Sequence, residues 1–192
     1  MSVSSDLPVL RLRSQAAWEA WLEKHHASAR GVWFTFAKKS SGKASVSYAE
    51  VLEVALCFGW IDGQAKSVDE EFWVQRYTPR RPRSKWSQIN CGKALALLAA
   101  GRMRPAGIRE VEAAKQDGRW DAAYAPSSTI TVPDDLRAAL AKHPRARKFF
   151  ELLDSKNRYA ILYRIQDAKK PETRARRIQK FVDMLHEGKT IH

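Results

Sequence analysis

Two arginines set between prolines, followed by a serine and a tryptophan, form the most chemically committed string in this sequence: Thr78-Pro79-Arg80-Arg81-Pro82-Arg83-Ser84-Lys85-Trp86. Guanidinium forks match phosphate or carboxylate oxygens two at a time, and prolines fix the backbone beforehand, which lowers the cost of ordering the arginines on a ligand. No Asp or Glu occurs from Phe72 to Arg109, where Arg76, Lys93, Arg102, Arg104 and Arg109 extend the basic run. The chemistry this suits is reception of an anion. Trp73, Tyr77 and Trp86 flank the string and could stack on a flat group, typically worth about 1–3 kcal/mol per stacked base. Their competing role is to close a sheet–helix core. Asp62, directly after Trp60-Ile61, is a carboxylate inside the aromatic part of the stretch. There it could act as a general base or orient a ligand, or it could form an ion pair with Arg76 or Lys66 that fixes a hairpin. Ser84 and Asn90 could donate to the same anion, or serve as polar caps. The candidate site is therefore Asp62 in a catalytic role, with Trp60, Arg76, Tyr77, Arg80, Arg81, Ser84, Lys85, Trp86 and Asn90 binding the ligand.

Other chemistries lack their residues. No phosphate-cradling glycine loop, no nucleophile elbow and no His/Cys/Asp set with metal-ligand spacing occurs, so no metal and no cofactor is expected. His25 and His26 read as the end of a helix, where imidazolium suits the dipole.

The elements that must position these residues follow from pattern. Ser14 can cap a helix with Trp18, Trp21, Leu22 and His25 on one side. Val32 to Phe36 reads as a short strand. Ser47-Tyr48-Ala49-Glu50 is a capping box opening a helix to Phe58, which Gly59 stops. Trp60–Ser67 and Phe72–Thr78 read as a β-hairpin turned at residues 68–71, with Asp62 opposite Tyr77 or Arg76 according to loop length. Ser84 or Ser87 caps the next helix, and Pro105 opens another. The composition turns linker-like over 121–133. Helical segments follow at 134–141, 144–153, 156–169 and 171–187, Ser155 being a plausible cap. The last helix carries Lys170, Arg174 and Arg177 on one side, either a second anion-binding face or a solvated one. Residues 1–13 read as an arm ending in a short strand near Val9–Leu12. The expected fold class is α+β, mostly helical, with a small antiparallel sheet of about three strands. The expected division is an α+β domain over 1–125 and a helical segment over 126–192.

Composition bounds the rest. The 192 residues, 44% hydrophobic, suffice for a buried core. Thirty-four Lys and Arg against 21 Asp and Glu leave +13, which favours acidic partners. Two cysteines, Cys57 and Cys91, read as reduced thiols. The start of the sequence has no signal-like apolar run, and no stretch approaches the roughly 20 apolar residues of a membrane span. The expectation is a cytoplasmic protein.

The strings ALCFGWIDG (55–63), RYTPRRPRSKWSQIN (76–90), GRMRPAG (101–107) and DGRW (117–120) resemble the bacterial YdeI/OmpD-associated family, known as bacteriocin-protection proteins. The stretch from PDDL at 133 through FFELLDSKNRYAILYRIQDAKKPETRARRI, ending at 178, is similar to the short domain for which that family is named. The resemblance spans about residues 33–189, and its motif positions include Trp60, Asp62, Gly63, Thr78, Pro79, Arg80, Arg81, Ser84, Trp86, Ser87 and Asn90. It implies a part in tolerance of bacteriocins, envelope stress and cationic peptides, without a defined catalytic mechanism. Residues and resemblance together lead to an anion-binding protein, its ligand a phosphate- or carboxylate-bearing small molecule held in a basic pocket. The alternatives are an enzyme using Asp62 as acid/base and a nucleic-acid-binding protein.

Overall fold

A computed structural model describes residues 7–192, and these fall into two compact units. The first comprises the chain up to Trp86 together with Asn90–Ala122; the second comprises Ser87–Ile89 and Ala123–His192. The fold class is α+β.

The first unit is a mixed sheet with helices. Its strands are β1 (Val9–Leu10), β2 (Val32–Ala37), β3 (Trp60–Ser67) and β4 (Phe72–Pro79), in the order β1-β2-β4-β3. The sheet has four strands where about three antiparallel ones were expected. The fourth is β1, the short strand expected near Val9–Leu12, which joins the sheet by pairing parallel with β2 through Val9↔Trp33 and Leu10↔Phe34. A parallel pair needs a crossover, here the helix α1 (Gln15–His25). The expected arm before Leu7 lies outside the described residues.

Alternation sorts the sheet into two faces. Val32, Phe34 and Phe36 of β2 share a face with Trp73, Gln75 and Tyr77 of β4, as the pairs Val32↔Tyr77, Phe34↔Gln75 and Phe36↔Trp73 require. On that face Trp18 of α1 is fully buried edge-on to Phe34, with ring centroids 5.3 Å apart. Its Nε1 donates to the Val51 carbonyl at 3.1 Å, tying α1 to α2 (Tyr48–Cys57). The capping box is formed as expected: the Ser47 hydroxyl accepts from the Glu50 amide at 3.2 Å, and the Glu50 carboxylate accepts from the Ser47 amide at 2.8 Å. Gly59, at φ 73°, turns the chain directly into β3. The helices α3 (Gln88–Ala99) and α4 (Pro105–Gln116) follow. Gly107 of α4 lies so near α2 that a Cβ there would stand 2.3 Å from the Cys57 carbonyl oxygen. Cys91, Ala94 and Leu97 form the buried side of α3, and Leu95 is exposed.

The second unit is helical: α5 (Asp134–Ala141), α6 (Pro144–Leu152), α7 (Ser155–Gln166) and α8 (Pro171–His186). Leu136, Leu140, Phe150, Ile161, Ile165, Phe181, Val182 and Leu185 make its core. The cap of α7 is Asp154 rather than Ser155, its carboxylate accepting from the Asn157 amide at 2.7 Å. A carboxylate is the better partner because it also opposes the helix dipole. Buried Asn157 in turn accepts from the Ile191 and His192 amides, which fixes the end of the chain. Among the described residues no helix is long and apolar enough to cross a membrane.

Candidate functional site

The hairpin places Asp62 by a register device. Near the turn Ser67 pairs with Trp73, and farther along Asp62 pairs with Tyr77, so one extra residue has been absorbed. It is absorbed at Gly63 and Gln64, which together face the single Arg76 in a β-bulge. Asp62 therefore shares a face with Tyr77, and Arg76 projects to the other side. There the Arg76 guanidinium lies against Gly63, where an added Cβ would stand 3.2 Å from Nε.

The ion pair considered for Asp62 is thus not made. Its Oδ2 accepts instead from the Tyr48 hydroxyl at 2.8 Å, across from the first residue of α2. Next to them is the Tyr77 hydroxyl, fully buried and with no hydrogen-bond partner among the described residues. Burial pushes the Tyr77 phenol far above the usual tyrosine range, and the nearby Tyr48 and Asp62 add to this. Gln75 completes the polar row by donating to the Gly63 carbonyl at 2.7 Å, which holds the bulge in shape. Trp60 takes no outward position: its Nε1 donates to the His26 carbonyl at 3.1 Å, and its ring lies edge-on to Trp18 and Trp21.

The proline-set loop is built from beneath. Arg80 is only 6% exposed, and its guanidinium carbon sits 3.5 Å from the centre of the Trp86 ring. Its Nη1 donates to the Lys85 carbonyl at 3.2 Å, and its amide donates to the Gly59 carbonyl at 2.9 Å. Stacking of this kind in a desolvated site contributes about 2 kcal/mol. Trp86 packs on Trp120 at 4.9 Å. Ser84 closes the turn: its hydroxyl accepts from the Arg81 amide and its own amide donates to the Arg81 carbonyl, both at 2.8 Å. Arg119 then reaches the Ser84 carbonyl at 3.0 Å while pairing with Asp117 at 2.7 Å. The DGRW string thus supplies the strut and the ring that support the loop. Asn90 is buried on the inner side of α3. Both thiols, Cys57 and Cys91, are buried and free, and burial pushes each thiol up.

What remains outward on the loop are Arg81, Arg83 and Lys85, all exposed. Arg81, Arg83 and Lys85 form an exposed basic ridge, and Arg80, the better buried of the arginine pair, packs beneath it. Two supporting residues, Arg119 and Trp120, were legible only as part of a motif, and Tyr48 only as part of a capping box. Among the described residues no group of His, Cys, Asp and Glu is placed to hold a metal. On the last helix, Arg174 is engaged by Asp135 and the Ile165 carbonyl, and Arg177 by Asp167 and the Arg164 carbonyl. Much of the basic side of α8 is therefore internal wiring.

Residues 10–110 match a family described as a domain of unknown function, DUF8412. Residues 129–188 match the family described as Bacteriocin-protection, YdeI or OmpD-Associated, so this part of the chain is YdeI/OmpD-associated-like. The strings around WIDG and TPRR thus lie within the first match, and the second is confined to the C-terminal helices. No curated protein and no solved structure matches the chain significantly.

Proposed function

We propose, from the premise that this chain belongs to the family of the domain of unknown function DUF8412, that it binds an anionic, phosphate- or carboxylate-bearing ligand on the ridge at residues 81–85. The observation carrying this reading is the support beneath the ridge. Arg80 lies over the Trp86 ring, Trp86 packs at a tilt on Trp120, and Arg119 donates to the Ser84 carbonyl. Such support holds Arg81 and Arg83 in place before any ligand arrives, so little ordering cost remains at binding. Bacteriocin protection, the context named by the description matched at 129–188, is where this binding would serve, together with the stress tolerance that the sequence resemblance implies.

The test is calorimetric titration of the full chain with inorganic polyphosphate and with citrate. Replacing Arg81 and Arg83 together by Gln leaves the buried support intact and should weaken binding about tenfold or more, each charged hydrogen bond contributing about 1.5–3 kcal/mol. Unchanged affinity in that variant overturns the proposal. Affinity for single-stranded DNA well above that for polyphosphate would favour the nucleic-acid alternative.

A second reading, acid/base catalysis at Asp62, draws on the Tyr48–Asp62 hydrogen bond and on the buried Tyr77 hydroxyl beside it, which has no partner among the described residues. It requires that Asp62→Asn keep the fold and ligand affinity but abolish turnover. If that variant only lowers the melting temperature, the carboxylate is structural.

A further inference from the structure

The second unit carries a cleft that the basic ridge does not involve. It encloses about 450 Å³ between the segment Ile130–Val132 and helices α5, α6 and the start of α7. That size lies within the range of small-molecule sites. Its floor is apolar: Leu140 and Phe150 are core residues at 3% exposure, and Ile130 and Val132 pack against the same core. Its rim is cationic, with Arg137, Arg147 and Arg158 on three different helices.

The three arginines differ in how they are held. Arg137 faces Asp134 at 3.4 Å and Arg147 faces Glu151 at 3.7 Å, and all four side chains are more than half exposed. Exposed pairs of this kind contribute little and exchange readily. Arg158 has no carboxylate partner among the described residues. Its guanidinium is laid over Phe150, 4.6 Å from the ring centre, so it sits half-buried above the apolar floor. Glu151 on the rim and Asp134 beside Arg137 are the opposing charges. Three cations against two carboxylates leave the mouth with a net positive charge over an apolar interior.

We infer that this cleft binds a small amphipathic carboxylate, with its head group on Arg158 and Arg137 and its apolar chain on Leu140, Phe150 and Val132. An apolar tail alone would leave Arg158 without a counter-charge, and a bare anion would leave the floor wet. The pairing of the two surfaces selects a molecule with both parts. This inference is independent of the ridge and would stand if that reading failed.

The test uses the full chain, isotope-labelled, with decanoate, decanol and acetate titrated separately while backbone amide shifts are followed. Decanoate should shift amides over residues 130–158 and bind about tenfold more tightly than decanol or acetate, the size expected for one charge-assisted hydrogen bond in a partly buried site. Arg158→Met keeps the apolar stem over Phe150 and should remove most of that advantage while leaving the unliganded spectrum native-like. The inference is overturned if decanol matches decanoate or if the shifts fall outside 130–158. It is equally overturned if Arg158→Met binds decanoate unchanged, or if only an acidic peptide perturbs the cleft.

Discussion

Replacing Arg119 by Met should loosen the ridge while leaving every outward cation in place. The Met side chain keeps much of the apolar stem but cannot donate to the Ser84 carbonyl or pair with Asp117. A hydrogen bond from a charged donor to a carbonyl contributes about 1.5–3 kcal/mol. The Arg119 side chain is 12% exposed, so this bond is well shielded, whereas Asp117 is 46% exposed. The ion pair is therefore discounted to about 0.2–1 kcal/mol. The sum is about 2–3 kcal/mol, allowing for water reaching the freed carbonyl. With a urea slope of about 1–3 kcal/mol per molar, the midpoint should fall by about 0.7–3 M. Urea unfolding followed by tryptophan fluorescence is the natural assay, because Trp86 and Trp120 sit on this support and report on it directly. Polyphosphate affinity should fall with it by about three- to tenfold, since the loop would then have to be ordered on binding. A midpoint equal to wild type would refute the strut. A lower midpoint with unchanged polyphosphate affinity would refute the link between rigidity and binding.

Gly107→Ala should be among the most harmful single-atom additions, because the new Cβ would meet backbone oxygens of Cys57 and Leu56 at 2.3 and 2.7 Å. The expected net loss is about 1–3 kcal/mol despite the better helix propensity of Ala, measured by thermal melting. Tyr77→Phe removes a buried hydroxyl that has no partner among the described residues. It should leave stability unchanged or raise it by about 1 kcal/mol in urea titrations, and a clear loss would mean the hydroxyl is engaged. The Asp135 carboxyl is held below its usual range by its hydrogen bond from Arg174. A lowered folded value means its contribution is full above the ordinary carboxylate pKa, about 3.9, and fades as the pH falls through the folded value. Wild type should thus melt above Asp135→Asn at neutral pH, and the gap should close in acid below about pH 4.

What the sequence reveals of this fold is what short-range chemistry decides. Ser47 and Glu50 are three residues apart and find each other in any helix that starts there, so the capping box is readable. The hairpin was readable as well, because two aromatic-rich runs flank an acidic turn. The register beyond the turn stays open between Tyr77 and Arg76 opposite Asp62; the structure has Tyr77, with the extra residue absorbed at Gly63-Gln64, where nothing in a period-two pattern announces a bulge. The partner of Asp62 was missed for the same kind of reason. The sequence offers Arg76 and Lys66 as the obvious cations, yet the pairing of Asp62 with Tyr77 sends Arg76 to the opposite face, and a tyrosine 14 residues upstream takes the place. The strut from Arg119 to Ser84 spans 35 residues, a separation at which residue type carries no geometric information.

The same sorting changes what the acid-free window from 72 to 109 means. Its nine cations suggest a broad positive field, but several are already matched by acids lying outside it. Lys93 and Arg102 meet Glu53 at 3.0 and 3.6 Å, and Arg104 meets Glu19 and Glu23 at 3.0 and 3.7 Å. Arg80 is stacked inside and Arg76 is packed on Gly63. The exposed cations of the ridge itself are Arg81, Arg83 and Lys85. Contact with two or three phosphates gives a log–log dependence of affinity on salt with a slope between about −1.5 and −2.7, whereas nine released counterions would give about −8. Measuring polyphosphate binding across salt concentrations separates the two pictures, and a slope near the larger figure would mean that the inward pairs open to meet the ligand.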